Sequence, residues 1–377
     1  MPFTIIRNDI TKVKADAIVN TANPRPIVGG GTDAAIYHAA GEELLLAERQ
    51  KIGDIARGDA VSTPAFGLDA RYIIHTVGPA WLDGKHGERE ILHSCYKKSL
   101  ALAAELSCES IAFPLISTGV YGFPRDEALN IALAEISKFL FAYDKDMNVI
   151  LVVFDRHSLQ LSRSLIGDID EYIDDHSVKE LRLKEYGRSR DVSNRRRRIF
   201  EERRYWGWES EEFDAETFSE NTALSNNLFD LSSPMPLSPT AAAQVTGSAM
   251  ADAADWDLDD FITKKEDTFQ QRLFKLIDER HLEDPAVYKK ANIDRKVFSK
   301  IRCNENYHPK KKTAIAFAIA LELDLPEMRD LLSRAGWALS PGSQFDQIVS
   351  YFVVHKNYDI FEINAALFKY DQELLGC

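Results

Sequence analysis

The chain has no apolar run near the roughly 20 residues that a bilayer span requires, so no membrane partner is expected. It has only four cysteines, Cys95, Cys108, Cys303 and Cys377, far apart and without a CxxC pair. That spacing excludes a zinc frame and a disulfide scaffold, and predicts reduced thiols and a cytoplasmic protein. The first residues alternate apolar and charged side chains instead of forming a signal-peptide core. With 19 Gly, 14 Pro and 45% apolar residues, collagen-like and wholly disordered classes are excluded as well. The 377 residues present suffice for about two ordinary domains.

Charge is not scarce, but it is unevenly spread. The net charge is −13, yet residues 206–267 hold 14 Asp/Glu against Lys264 and Lys265 alone. Residues 176–205 are basic and include the run Arg195-Arg196-Arg197-Arg198. The overall acidity therefore does not exclude a nucleic-acid partner. Residues 206–267 are rich in Ser, Pro, Asn and acid, too poor in apolar surface to offset ordering entropy, and predict a disordered acidic linker. Within them Trp256-Asp257-Leu258-Asp259-Asp260-Phe261 reads as linker composition or as a docking peptide for a basic surface.

Residues 1–175 predict an α/β domain. Strand-like runs stand at Phe3–Arg7, Ala17–Asn20, Ala60–Thr63, Tyr72–Val77, Ile111–Ile116 and Val149–Phe154. Helical periodicity follows at Asp33–Ala40, Arg89–Leu106, Asp126–Phe141 and His157–Tyr172. Ile- and Val-rich strands separated by helices predict a mixed or parallel sheet covered on both faces. From residue 268 onward the pattern is all helical, and a separate all-α domain over 268–377 is expected.

The chemistry is expected at two glycine loops. Asn20-Thr21-Ala22-Asn23 leads through Pro24 and Pro26 to Gly29-Gly30-Gly31-Thr32-Asp33, between a strand and a helix. Glycines let backbone N–H groups approach a ligand, and a helix N-terminus favours an anion such as phosphate. Asn20 and Asn23 offer donors and acceptors for sugar hydroxyls, and Asp33 is placed as a cap or a base. Gly29–Ala34 also matches G-x-G-x-x-A. Eight residues separate it from the strand end, however, and no acid follows at the dinucleotide-binding distance, so that reading is set aside. The second loop, Ser117-Thr118-Gly119-Val120-Tyr121-Gly122, again joins strand to helix, and the pair of loops can clamp a diphosphate. His75, flanked by apolar residues, reads as a structural histidine.

These motifs, with Asn8-Asp9-Ile10-Thr11, Ala39-Ala40-Gly41 and Tyr72–Pro79, resemble the macrodomain family in the family's order. The resemblance implies a three-layer α/β/α fold that binds ADP-ribose, in the branch that hydrolyses mono-ADP-ribosyl protein esters and O-acetyl-ADP-ribose. Carried over by motif, Asp9 would accept from the adenine amino group, Ile10 would line that pocket and Phe154 would stack on adenine. Gly29, Gly30, Gly31, Ser117, Thr118, Gly119, Val120 and Tyr121 would hold the diphosphate and distal ribose. Asn20, Asn23 and Asp33 would form the catalytic set, with Asp33 positioning water. No metal or cofactor is implied. The chain departs from the family pattern at Asn8, Val28 and Tyr37, where Gly, Gly and His are usual.

Residues 269–340 resemble a repressor-type helix-turn-helix domain, with helix, turn and helix over 284–302 and Asn292 expected at the left-handed turn position usually given to Gly. Arg295, Lys296, Ser299, Lys300 and Arg302 would then face DNA, and a helical protein-interaction bundle is the alternative. Two functions are thus expected of the whole: an ADP-ribosyl ester hydrolase, or an ADP-ribose sensor attached to a DNA- or protein-binding domain.

Overall fold

The computed structural model describes residues 3–154, 165, 166, 168–173 and 267–376. The basic extension, Arg195–Arg198, most of the acidic linker with its Trp256–Phe261 motif, and much of the helix expected at His157–Tyr172 lie outside the described residues.

Six strands form one sheet in the order β1-β6-β5-β2-β4-β3. They are β1 (Phe3–Arg7), β2 (Ala17–Thr21), β3 (Ala60–Pro64), β4 (Tyr72–Thr76), β5 (Ser110–Pro114) and β6 (Asn148–Val153). All neighbours are parallel except β3, which runs antiparallel to β4. Strand residues alternate between faces, and here both faces are apolar because both are covered. Ile18, Ile73, Ala112 and Val152 pack with Ile36, Tyr37 and Leu45 on one side. These come from α1 (Thr32–Ala40) and α2 (Glu42–Ile52). Val19, Ile74, Ile111 and Phe113 pack with Leu92, Tyr96, Leu129 and Ile136 on the other. These belong to α3 (Glu88–Glu105) and α4 (Arg125–Ala142). The three-layer α/β/α arrangement with a mixed sheet is therefore present.

One helix was not legible in the sequence. α2 follows α1 across Gly41 alone and buries only Leu45 and Arg49, while Leu44 and Ile52 are exposed. Its apolar residues do not form one stripe, so the periodicity that marks an amphipathic helix is weak.

Residues 267–376 are helical: α5 (Phe269–Glu279), α6 (Asp284–Lys290), α7 (Arg295–Cys303), α8 (Lys311–Ala320), α9 (Leu325–Ser333), α10 (Gln344–Val354) and α11 (Ile360–Lys369). Capping boxes start α5 (Thr268 with Gln271) and α9 (Asp324 with Glu327), and Asp359 caps α11. α8 is buried continuously from Ala314 to Ala320 and forms the centre of this segment.

The all-α segment is packed against the sheet instead of standing apart, and both belong to one compact unit. Asn292 adopts a left-handed turn conformation between α6 and α7, with φ 54°. Its side chain accepts from the Phe3 N–H at 2.7 Å and donates to the Phe3 carbonyl at 3.0 Å. A single amide thus pairs with the edge strand β1 as a neighbouring strand would, satisfying groups that edges leave open. Phe361 of α11 packs on Phe3 (5.1 Å between centroids) and on Phe141 (6.3 Å). Lys289 donates to the carbonyls of Phe141 (3.2 Å) and Tyr143 (2.9 Å), capping the end of α4 where the helix dipole favours a cation.

Candidate functional site

Parallel strands leave their carboxyl ends on one side, and the strand ends, loops and first helical turn there carry every site residue expected of residues 1–175. Asp9 and Ile10 follow β1, Phe154 follows β6, Ser117–Tyr121 follow β5, and Asn20–Asp33 span the end of β2 and its loop. Those four strands are neighbours in that order. At about 4.8 Å per strand, the row extends over roughly 14 Å, the scale of an elongated ligand laid across strand ends.

The loop after β2 is built around Asp33. Gly31, with φ 61°, is the N-cap of α1, so Asp33 sits in the first turn and is not the cap. Its carboxylate is 3% exposed and held at both oxygens. Asn20 Nδ2 donates to Oδ1 at 2.6 Å, and the Gly29 N–H donates to Oδ2 at 2.6 Å. Burial raises the Asp33 pKa above the ordinary value, while the bonds from Asn20 and Gly29 and the charge of Arg49 pull it down. A Cβ on Gly29 would lie 2.9 Å from Asp33 Oδ2, so this glycine is required by close approach. A Cβ on Gly30 or Gly31 would meet nothing within 4 Å. Asn23 is used inside its own loop, where its Oδ1 accepts from the Arg25 N–H at 3.2 Å.

Behind Asn20 lies His75, wholly buried on β4. Asn20 Nδ2 is 3.1 Å from Nδ1, and Thr63 Oγ1 is 2.9 Å from Nε2. With an amide N–H facing it, Nδ1 accepts and Nε2–H donates to Thr63. Burial first, and then the charge of Arg49, hold its pKa down at about 3. It is therefore a neutral strut that orients Asn20. Its bonding partner Thr63 and the buried Arg49 had no distinguishing signal in the sequence.

The loop after β5 closes on itself. Phe123 N–H donates to Ser117 O (3.0 Å), Gly122 N–H to Gly119 O (3.0 Å), and Thr118 Oγ1 to Leu115 O (3.0 Å). Ser117 is left-handed at φ 64°, a conformation that a non-glycine residue seldom adopts outside constrained sites. A Cβ on Gly78 would fall 2.1 Å from Ser117 Oγ, so the chain leaving β4 lies directly against this turn. Val120 is 91% exposed and Phe154 is 76% exposed, two apolar side chains open to solvent on the row.

At the β1 end, Asp9 caps a short 3-10 helix (Ile10–Lys12), accepting from Thr11 N–H at 2.9 Å and from Thr11 Oγ1 at 2.8 Å. Ile10 is buried beneath it. Among the described residues, Asp83, His86 and Glu88 bring possible metal-ligand atoms within 4.8 Å of one another. The Glu88 carboxylate is already occupied by the backbone N–H groups of Leu82, Asp83, Gly84 and His86, and so organises the loop before α3.

On the helical segment, Arg295, Lys296, Ser299, Lys300 and Arg302 all lie exposed on α7. Arg302 is ion-paired with Asp284 and lies over the Phe274 ring at 5.0 Å, so it is partly committed within the fold.

Comparison with known proteins matches the site's framework. The Macro domain family model matches residues 19–132. A macro domain-containing protein of Listeria monocytogenes serotype 4b is 47% identical over 172 residues, covering 44% of this chain and 98% of the relative. An O-acetyl-ADP-ribose deacetylase of Citrobacter rodentium is 46% identical over 165 residues, covering 43% of this chain and 93% of the relative. A solved Oceanobacillus iheyensis macrodomain with ADP is 41% identical, covering 41% of this chain and 84% of that one, with a TM-score of 0.38. Identity at this level over nearly the full length of such relatives, on a sheet whose strand ends carry the expected loops, makes the chain a member of the macrodomain family.

Proposed function

We propose that the strand-end row binds ADP-ribose and that Asp33 directs water onto an acyl ester of its distal ribose, as in O-acetyl-ADP-ribose or an ADP-ribosylated protein carboxylate. The observation that carries this reading is a buried carboxylate fixed by two donors at the end of the central strand β2, beside the loop that follows β5. Adenine would lie toward Asp9 and Phe154, the diphosphate between the loops of Gly29–Gly31 and Ser117–Tyr121, and the distal ribose beside Asn20, Asn23 and Asp33. The homology with a deacetylase of O-acetyl-ADP-ribose supports the same assignment.

In ester hydrolysis, water adds to the acyl carbonyl, and the bond from that carbon to the ribose oxygen breaks. The water's proton must reach the departing oxygen. An ionised Asp33, held by Asn20 and the Gly29 N–H, retains lone pairs to accept a hydrogen bond from that water and aim it. Neither loop supplies a nucleophilic triad, and none is required when water is the nucleophile.

The test is release of acetate from O-acetyl-ADP-ribose by wild type beside Asp33→Ala, with calorimetry for ADP-ribose. A general base typically contributes 10²–10⁴-fold, so turnover should fall by about 100-fold or more while affinity changes only a few-fold. Binding without release by wild type would make the protein an ADP-ribose sensor.

A second reading of the helical segment has its own observation. Arg295, Lys296 and Lys300 are exposed on α7, and among the described residues their side chains have no ion-pair partner. Such a face fits a nucleic-acid backbone. DNA affinity that falls steeply with salt in wild type, and is lost on reversing those charges, would support it.

A further inference from the structure

The Ser117–Tyr121 loop is braced by a second loop, the one that leaves β4. Among the described residues, the backbone N–H groups from Ser117 to Tyr121 meet no acceptor, whereas the carbonyls of Leu115, Ser117, Gly119 and Tyr121 each take up a protein donor. A turn that turns its carbonyls to the protein and leaves successive N–H groups over is shaped for an anion. Three of those four carbonyl bonds are made inside the loop. The fourth comes from outside, where the Trp81 N–H donates to the Tyr121 carbonyl at 2.8 Å. The Gly122 N–H of the same peptide donates to Gly119 O at 3.0 Å, so that peptide is held at both ends. Gly122, left-handed at φ 66°, gives the peptide freedom to turn over, and the Trp81 bond opposes it.

The Trp81 ring packs on Phe123 in a T-shaped contact, with centroids 4.6 Å apart, so backbone and ring grip the loop on either side of Gly122. The Arg89 guanidinium lies over the indole at 5.2 Å and donates to the Gly84 carbonyl at 2.7 Å. It also pairs at 2.8 Å with Glu127, in the first turn of α4. A Cβ on Gly84 would fall 2.7 Å from the Trp81 ring, so this turn lies directly against the indole. Glu88, 2% exposed, holds the same turn through the N–H groups of Leu82, Asp83, Gly84 and His86.

We propose that Trp81 is a positioning residue for the diphosphate of the ligand: backed by Arg89 and Glu88, it holds the Ser117–Tyr121 loop in the form whose N–H row meets the anion. This rests on the reading of the strand-end row as an ADP-ribose site. Trp81 acts through the loop, by its bond to Tyr121 O and its contact with Phe123.

The experiment measures ADP-ribose affinity by calorimetry and adenosine affinity by NMR titration, in the full chain, for wild type, Trp81→Leu and Trp81→Phe. Each is checked for folding by its thermal melt. Adenosine carries no phosphate, so a brace for the diphosphate loop acts on ADP-ribose alone, whereas general loosening weakens both ligands alike. Trp81→Leu should weaken ADP-ribose by about 10-fold, the scale of one charge-assisted hydrogen bond, and leave adenosine within about 2-fold. The amide signals of Thr118 to Tyr121 should shift in this variant before any ligand is added. Trp81→Phe keeps an aromatic face for Phe123 and Arg89 and should restore most of the affinity. Wild-type affinity for ADP-ribose in a folded Trp81→Leu protein, or an equal loss for both ligands, would overturn the proposal. Should Trp81→Leu not fold, Arg89→Gln removes the cation over the ring and the pair with Glu127, and is judged by the same criterion. Failure of wild type to bind ADP-ribose would defeat the proposed function and this inference with it. Binding by wild type with no change in Trp81→Leu defeats the inference alone.

Discussion

At the residue scale, the site depends on groups that touch one another rather than on any one motif. Asn20 is wholly buried and bridges Asp33 and His75, so it transmits the position of the central strands to the carboxylate. Gly29 does two jobs, donating its N–H to Asp33 and leaving out the Cβ that Asp33 Oδ2 would meet at 2.9 Å. Gly29→Ala should therefore displace a carboxylate that both bonds pin in place. The expected outcome is a drop in turnover of roughly 10-fold or more, since a small misplacement of a catalytic group is costly, with the thermal midpoint nearly unchanged. Kinetics beside a thermal melt checks it, and equal losses in both would show a folding defect instead.

At the element scale, the decisive contact is made by a turn. The link between α6 and α7 places the Asn292 amide on the open edge of β1, and the end of α6 places Lys289 on the carbonyls at the end of α4. Asn292→Ala removes both bonds to Phe3 at a buried edge, and each such loss costs about 1–3 kcal/mol. Urea unfolding of the full chain should show destabilisation of that order, together with faster hydrogen exchange at Phe3. Exchange confined to α6 and α7, with β1 unaffected, would mean that the edge is held by Phe361 and not by the amide. The two helices and their left-handed Asn292 were legible from Asp284–Arg302. That the Asn side chain would bond a strand 289 positions earlier was not, because no local pattern encodes such a contact.

At the scale of the whole molecule, sheet and helical segment fall in one compact unit, which favours cooperative unfolding of the two together. Two groups link that unfolding to pH. His75 is held neutral, with a folded pKa of about 3 against an ordinary value near 6.5. The unfolded chain thus takes up a proton that the folded chain refuses, and stability from this group is present above pH 6.5 and lost as pH falls toward 3. Glu88 is opposed in its ionisation by burial, but the backbone N–H groups around it outweigh that and hold it at about 2. Its contribution is lost as pH falls from about 4.5 toward 2. Stability should therefore begin to decline below pH 6.5 and fall more steeply below about 4.5. In His75→Gln the first decline should disappear while the second remains, as measured by denaturant midpoints across pH.

The sequence by itself determined the kind of fold and the presence of two glycine loops at strand ends. Val- and Ile-rich strands alternating with helices specify a covered sheet, and glycine loops at strand ends specify where a ligand can approach, because both signals are local in the chain. The placement of Asp33, Asn20 and the Ser117–Tyr121 loop at the carboxyl ends of neighbouring strands was readable for that reason. What only the tertiary structure decided is the company these residues keep: His75 between Asn20 and Thr63, Arg49 buried on α2 against the Gly53 carbonyl, Asn23 turned into its own loop, and the helical segment closed onto β1. Each of these joins elements far apart in sequence. Burial and charge at such contacts depend on packing in three dimensions, which composition and periodicity do not carry.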